Sequence, residues 1–192
     1  MLNKFKKNLK LLCSANDKLL LACSGGRDSM VLAHLLIKSG YSFSIAHFNF
    51  CLRNDESDED ELFVQSFAKQ NNITIYIEKN DAKEYAHQHN ISVEMAAREL
   101  RYLWFNQLLQ KYHYAKILTA HHADDSIETF FINLLRGTGI AGLKGIPVVN
   151  NNIVRPLLFA SRQQINEYVL AENIQYRDDS SNAEDIYLRN QI

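Results

Sequence analysis

Four short, continuously apolar runs, each followed by a stretch of helical periodicity, constrain this chain more than any other feature. Lys18–Cys23, Ser42–His47, Ile73–Ile77 and Lys116–Ala120 read as strands. Ser29–Ser39, Glu56–Asn71, Asp81–Tyr112 and Asp125–Arg136 read as the helices that follow them, the third broken near Asn90-Ile91. Strands that are apolar throughout, rather than alternating, are covered on both faces, and each intervening helix carries the chain back to start a parallel neighbour. The expected class is therefore α/β, a parallel twisted sheet with helices on both faces. In such sheets ligands sit at the carboxyl ends of the strands. Ser24–Ser29, His47–Asn49 and His121–Asp125 are thus expected along one edge, although they lie far apart in sequence. Asn3–Leu12 alternates Lys with Leu and Phe and reads as an amphipathic helix, and Ser161–Glu172 as a shorter helix near the end.

The chain has 192 residues, enough for one ordinary domain, and its 46% hydrophobic content supports a globular core. No apolar run reaches membrane-spanning length, and the Lys-rich stretch Met1–Asn16 lacks a signal-peptide cleavage pattern. Cys13, Cys23 and Cys51 are odd in number and not spaced as ligands, which suits a reducing cytoplasm. Net charge is −1, whereas a domain that grips nucleic acid unaided is usually basic. An RNA substrate would need a local patch or further protein.

The first strand runs into Ser24-Gly25-Gly26-Arg27-Asp28-Ser29 and then directly into a helix. Adjacent glycines allow positive φ and close approach of an anion, and the helix aims unpaired N–H groups at the same place. Ser24 and Ser29 add hydroxyl donors, and Asp28 is a candidate Mg²⁺ ligand. The segment is not Gly-x-x-x-x-Gly-Lys-Ser/Thr, so it is not the phosphate loop of kinases and GTPases. Gly137-Thr138-Gly139-Ile140-Ala141-Gly142 has the spacing of a dinucleotide fingerprint but follows a helix instead of a strand, and is rejected as one.

His121-His122-Ala123-Asp124-Asp125 closes the fourth strand and opens the next helix. Carboxylates in a first helical turn are ordinary capping. Two histidines, Asp124, Asp125 and Glu128 together exceed that need, and Asp125 and Glu128 could jointly hold Mg²⁺ or a substrate ammonium. No third well-spaced group supports zinc. In the helix from Ser92 onward, Val93, Ala97, Leu100 and Trp104 face the core. Arg98 and Arg101 either pair with surface acids, such as Glu94 with Arg98, or reach a phosphate.

Taken together, the motifs resemble a family. Ser-Gly-Gly-x-Asp-Ser is the signature of the PP-loop ATP pyrophosphatases, whose fold is of the adenine nucleotide α-hydrolase, Rossmann-like type. His47-Phe48-Asn49-Phe50-Cys51-Leu52-Arg53, Glu94…Ala97-Arg98…Arg101-Tyr102 and His121-His122-x-Asp124-Asp125-x-x-Glu128-Thr129 extend the match. So do Leu134-x-Arg136-Gly137-Thr138-Gly139, Gly142-Leu143-x-Gly145-Ile146, Arg155-Pro156-Leu157 and Asp179-Ser180…Asn182…Arg189-Asn190. Over about Leu19 to the last residue this order resembles the tRNA(Ile)-lysidine synthetases.

The resemblance implies a ligase that uses ATP and Mg²⁺. ATP adenylates the C2 oxygen of the wobble cytidine in the tRNA(Ile) with CAU anticodon. L-lysine then attacks C2, giving lysidine, AMP and pyrophosphate. It assigns Ser24, Gly25, Gly26, Arg27, Asp28, Ser29, His47 and Asn49 to the nucleotide, and Asp28 and Asp125 to Mg²⁺. Asp125 and Glu128 go to lysine, and Arg101, Arg136 and Arg189 to the tRNA. Asp28, Asp125 and Arg98 are the catalytic set, with Asp125 or one of the two histidines as base. It is compatible with a homodimer, a cytoplasmic location and no membrane partner. Residues 1–192 are expected to be one catalytic domain, a nucleotide-binding core to about 145 followed by an extension, with the tRNA-binding C-terminal domains of longer members outside it. Phe50 departs from the family, standing where many members carry a second histidine, and Asn54 replaces a common glycine. A tRNA thiolase of the same fold is the first rival, although no Cys-x-x-Cys is present. A non-catalytic ATP-binding module is the second.

Overall fold

The computed structural model describes residues 1–14, 16–52, 55–139 and 144–177. In chain order the elements are α1 (Leu2–Leu12), β1 (Leu19–Ala22), α2 (Arg27–Lys38), β2 (Phe43–Asn49), α3 (Asp55–Gln70) and β3 (Ile75–Lys79). There follow α4 (Ala82–His89), α5 (Val93–Tyr112), β4 (Lys116–Leu118), α6 (Ala123–Leu135), β5 (Val149–Asn150), β6 (Ile153–Val154) and α7 (Arg162–Glu172). All four expected strands and all the expected helices are present, with bounds shifted by one or two residues. The break near Asn90 is real: Asn90 takes a left-handed conformation (φ 53°) that ends α4, and Ser92 Oγ then caps α5 by accepting from Met95 N.

The sheet order is β3-β2-β1-β4-β6-β5. Every pairing is parallel except the last, β5 with β6. The sequence reading missed this edge hairpin, because two-residue strands flanking Asn151-Asn152 are too short to show any periodicity. Val154 nevertheless pairs with Leu118, so the chain beyond residue 145 contributes to the same sheet.

The core lies on both faces, as alternation along β1 requires. Leu19 and Leu21 pack with Phe5 and Leu9 of α1, with the apolar face of α2, and with Ile165 of α7. Leu20 points the other way, into Trp104, Phe105, Leu108 and Leu109 of α5. Each of these leucines is fully buried, worth about 1.5–3 kcal/mol apiece. Val93, expected in the core, is the first residue of α5 and is partly exposed at 37%. With the sheet covered on both sides, its carboxyl edge is the natural opening for a ligand.

Candidate active site

β1 delivers the chain into the glycine loop at that edge. Gly25 has φ 90°, and a β-carbon there would meet Val64 Cγ2 at 3.1 Å. The backbone conformation favours glycine here, and any side chain would also push the Val64 methyl aside. Gly26 is the N-cap of α2 with ordinary extended φ (−71°). Of the two glycines, only Gly25 uses positive φ. The hydroxyls close the loop: Gly26 N donates to Ser24 Oγ (3.3 Å), Ser29 Oγ donates to Gly26 O (2.8 Å), and the two hydroxyls are 3.3 Å apart.

A cavity of about 370 Å³ opens on this loop, a size suited to a small ligand. It is lined by Ser24, Gly26, Arg27, Asp28 and Ser29, and across the edge by Arg101, His121 and Asp125. Phe48, Phe50, Tyr102 and Phe105 supply an aromatic flank. Phe50 stacks on Phe48 (4.4 Å), and the Arg101 guanidinium lies over the Phe50 ring (5.1 Å). The fold thus joins the loop, Arg101 and Asp125 in one space.

Other expected residues sit elsewhere. His47 and Asn49 are at the end of β2 but buried behind the cavity wall. His47 Nδ1 bonds the Cys23 carbonyl (2.9 Å), and Asn49 Nδ2 donates to Asp58 and Glu61 of α3. Glu128 is half-buried on α6, outside the cavity lining. Arg98 is exposed on α5, over the Tyr102 ring at 5.0 Å, and forms no ion pair among the described residues, so the alternative pairing with Glu94 is absent. Arg136 is exposed beyond α6. Arg189 and the segments 53–54, 140–143 and 178–192, which include Asn54, Gly142-Leu143 and Asp179…Asn190, lie outside the described residues.

Asp125 does cap α6: its Oδ2 accepts from His122 N at 2.7 Å. Capping and site are therefore compatible, since the same residue lines the cavity. Asp28 Oδ1 is buried without a hydrogen-bond partner among the described residues. This oxygen lies 4.0 Å from Arg27 Nε, in a cavity that Asp125 also lines, and carboxylate oxygens of this kind fit a hard cation such as Mg²⁺. Among the described residues no three His, Cys, Asp or Glu form a ready metal cluster. Mg²⁺ keeps several waters and takes substrate phosphates as ligands, so a site for it does not require such a cluster.

Burial pushes the His121 imidazole below its ordinary pKa. The Arg155, Arg101 and Arg98 guanidiniums push the same way, against the Asp125 carboxylate. Its Nδ1 is 3.0 Å from Thr119 Oγ1.

Two residues escaped the sequence reading. Arg177 N donates to Gly25 O (3.0 Å), while its side chain donates to Asp60 Oδ1 (3.0 Å) and Glu59 Oε2 (2.6 Å), so a late segment straps the glycine loop to α3. Arg162, at the start of α7, also lines the cavity. Both are isolated arginines in polar sequence, with no local pattern to mark them.

A glycine loop between a central parallel strand and a helix, opening on a carboxylate-bearing cavity, defines an α/β nucleotide-binding domain. The chain belongs to the PP-loop domain family, whose sequence profile matches residues 1–192. It is 46% identical over 177 residues to a tRNA(Ile)-lysidine synthase of Bacteroides thetaiotaomicron, covering 92% of this chain and 42% of that protein. A tRNA(Ile)-lysidine synthase of Petrotoga mobilis is 40% identical over 193 residues, covering 98% of this chain and 61% of that one. The resemblance carried by the motifs thus holds over nearly the whole chain. The chain spans about two fifths of the length of the first of these relatives. Among solved structures, a U34-tRNA thiolase of Methanococcus maripaludis superposes with a TM-score of 0.71 at 17% identity. That match covers 92% of this chain and 64% of that one, and establishes shared fold alone. No helix among the described residues is long and apolar enough to cross a membrane.

Proposed function

We propose that this chain is the catalytic domain of a tRNA(Ile)-lysidine synthase. On this reading it uses ATP to join L-lysine to C2 of the wobble cytidine in the CAU anticodon. The observation that carries the reading is one cavity holding the glycine loop together with Asp125 and Arg101, in a chain whose relatives bear that name. The distant thiolase likeness does not favour sulfur transfer, and Cys13, Cys23 and Cys51 are free thiols, the first two buried.

The chemistry divides along the cavity. Loop N–H groups, Ser24 and Ser29 hold the phosphates while the cytidine C2 oxygen attacks the α-phosphorus and pyrophosphate leaves. Asp28 and Asp125 would hold Mg²⁺, which when bound offsets the charge of the triphosphate. Adenylation turns a urea-like oxygen into a leaving group. The lysine ε-amine, oriented by Asp125 and Glu128, then attacks C2, loses a proton and expels AMP. His122 accepts at Nε2 from Arg162 and is fully buried, so the base is chosen between Asp125 and His121, which both line the cavity. His47 and Asn49 serve the nucleotide indirectly, by fixing Cys23 and α3 beside the loop. On this reading Arg98 is assigned to the leaving phosphates, and Arg101, Arg136 and Arg189 to the tRNA. A homodimer in the cytoplasm completes the reading.

Pyrophosphate release that needs both lysine and tRNA(Ile) is the expected result. Release with neither, or none with both, would overturn the proposal. Glu128→Ala should raise the KM for lysine about tenfold or more, the scale of one lost charge-assisted contact, and leave the KM for ATP unchanged.

A further inference from the structure

His122 is fully buried at the N-cap of α6, yet three carboxylates approach its ring. Asp124 Oδ2 and Asp125 Oδ2 lie 3.6 and 3.7 Å from Nδ1, and Asp28 Oδ2 lies 3.7 Å from Nε2. Asp28 comes from the glycine loop and Asp125 from the far side of the cavity, so this ring is where the two halves of the site meet.

Arg162 decides how the ring is used. Its Nη2 is 3.0 Å from His122 Nε2, and a guanidinium can only donate. Nε2 is therefore the acceptor, and the ring proton of the neutral imidazole sits on Nδ1, facing Asp124 and Asp125. That Nδ1 is buried and makes no hydrogen bond among the described residues. Arg162 is itself fixed, because its backbone N–H donates to Asp124 Oδ2 at 2.8 Å. A buried N–H held just beyond hydrogen-bond reach of two carboxylates, with Asp28 Oδ2 across the ring and Asp28 Oδ1 making no hydrogen bond among the described residues, is an arrangement that lacks its last component.

We propose that His122, braced by Arg162, is a positioning residue that brings Asp28 and Asp125 to a common divalent-cation site. Two carboxylates converging on one point repel each other; the Nδ1–H on the Asp125 side of the ring and the Arg162 guanidinium held at Nε2, on the Asp28 side, lower that repulsion before the cation arrives. Partners behind metal-binding carboxylates commonly set affinity in this way. The inference rests on the reading of the cavity as a metal–nucleotide site, and is independent of which acceptor the nucleotide serves.

The test is a titration of Mn²⁺ into the protein with ATP and no tRNA, read by electron paramagnetic resonance. ATP affinity in EDTA and the circular dichroism spectrum are measured alongside. His122→Ala should weaken Mn²⁺ binding about tenfold or more, with ATP affinity in EDTA changed less than about twofold. His122→Asn places an amide N–H where Nδ1 was and should restore most of the Mn²⁺ affinity, whereas His122→Gln mimics Nε2 and should not. Mn²⁺ binding by the Ala variant equal to wild type overturns the inference. So does an Asn variant no better than Gln, a comparison that decides the matter even if Ala fails to fold. A wild-type protein that binds no Mn²⁺ with ATP overturns the nucleotide reading itself, a result distinct from unaffected variants.

Discussion

α2 and α6 both aim their N-termini into the same cavity, but they are held there by opposite means. α2 buries Met30, Val31, Leu32, Ala33, Leu35 and Leu36 beneath β1, so the glycine-loop end of the site is anchored in the core. α6 is the more apolar helix, yet it buries no residue, and Ile127, Phe131, Leu134 and Leu135 are about half exposed or more. What fixes α6 is polar and lies at its first turn: Asp125 on His122 N, Asp124 on Arg162 N, and Ser126 Oγ accepting from Ile146 N (3.0 Å). Core packing sets one wall of the site and a handful of hydrogen bonds sets the other. On the proposed reading the triphosphate rests against the rigid wall, while the acidic end of α6 depends on local contacts.

The largest expected effect tests whether that division is chemical as well as structural. Asp28→Ala should abolish ATP turnover, a fall of about 10³-fold or more as for loss of a group acting on the reacting phosphates. Pyrophosphate exchange would measure it, and residual exchange near wild type would remove Asp28 from the site. Next in size is a paired truncation read by urea denaturation. Leu35→Ala on α2 leaves a hole in a fully buried cluster and should cost about 2–5 kcal/mol. Leu135→Ala on α6, 65% exposed, should stay within about 0.5 kcal/mol. Equal losses would mean that α6 is packed in solution against something that covers it.

That contrast also explains what was legible in the chain. β1 to α6 could be read from sequence because each element carries its own period and caps, as Ser92 and Asn90 do for α5 and α4. The glycine loop could be read because Gly25 serves a backbone need that few residues meet. The strap by Arg177 and the brace by Arg162 could not, since each joins residues more than thirty apart through single side chains. His47 and Asn49 illustrate the reverse limit. Sequence placed them correctly at the end of β2, but only the packing of α3 turns Asn49 toward Asp58 and Glu61 and away from the cavity.

Gly25→Ala addresses the rigid wall more gently. The substitution forces an L side chain to φ 90° and against Val64, at a cost of about 1–3 kcal/mol. Because the loop is held on one side by Ser24 and Ser29 and on the other by Arg177, the expected outcome is a folded protein with weakened ATP binding. Calorimetry with ATP would measure it. Unchanged affinity would show that the loop can adopt the bound shape without this φ.

The smallest effect expected is on the pH dependence of stability, and it too separates the two walls. Burial pushes His47 below the ordinary histidine value near 6.5, against the pull of the Cys23 carbonyl and the Glu61 and Asp60 carboxylates. The Cys23 bond needs a donor, so neutral His47 carries its proton on Nδ1, and taking up a second proton would charge a buried ring. With the folded value lower than the unfolded one, the unfolded chain binds more protons in the window between them. Stability from His47 is therefore complete above about pH 6.5 and is lost as pH falls from there toward the folded value. His34, also lowered chiefly by burial, adds in the same direction. His47→Gln removes the titration and should flatten the decline in Tm between about pH 6.5 and 5. Since Cys23 leads straight into the glycine loop, the wild-type protein should lose ATP affinity over the same interval. An equally steep decline in the Gln variant would remove His47 and leave the acid sensitivity to His34 on α2 or to His121 beside Arg155, both lowered chiefly by burial.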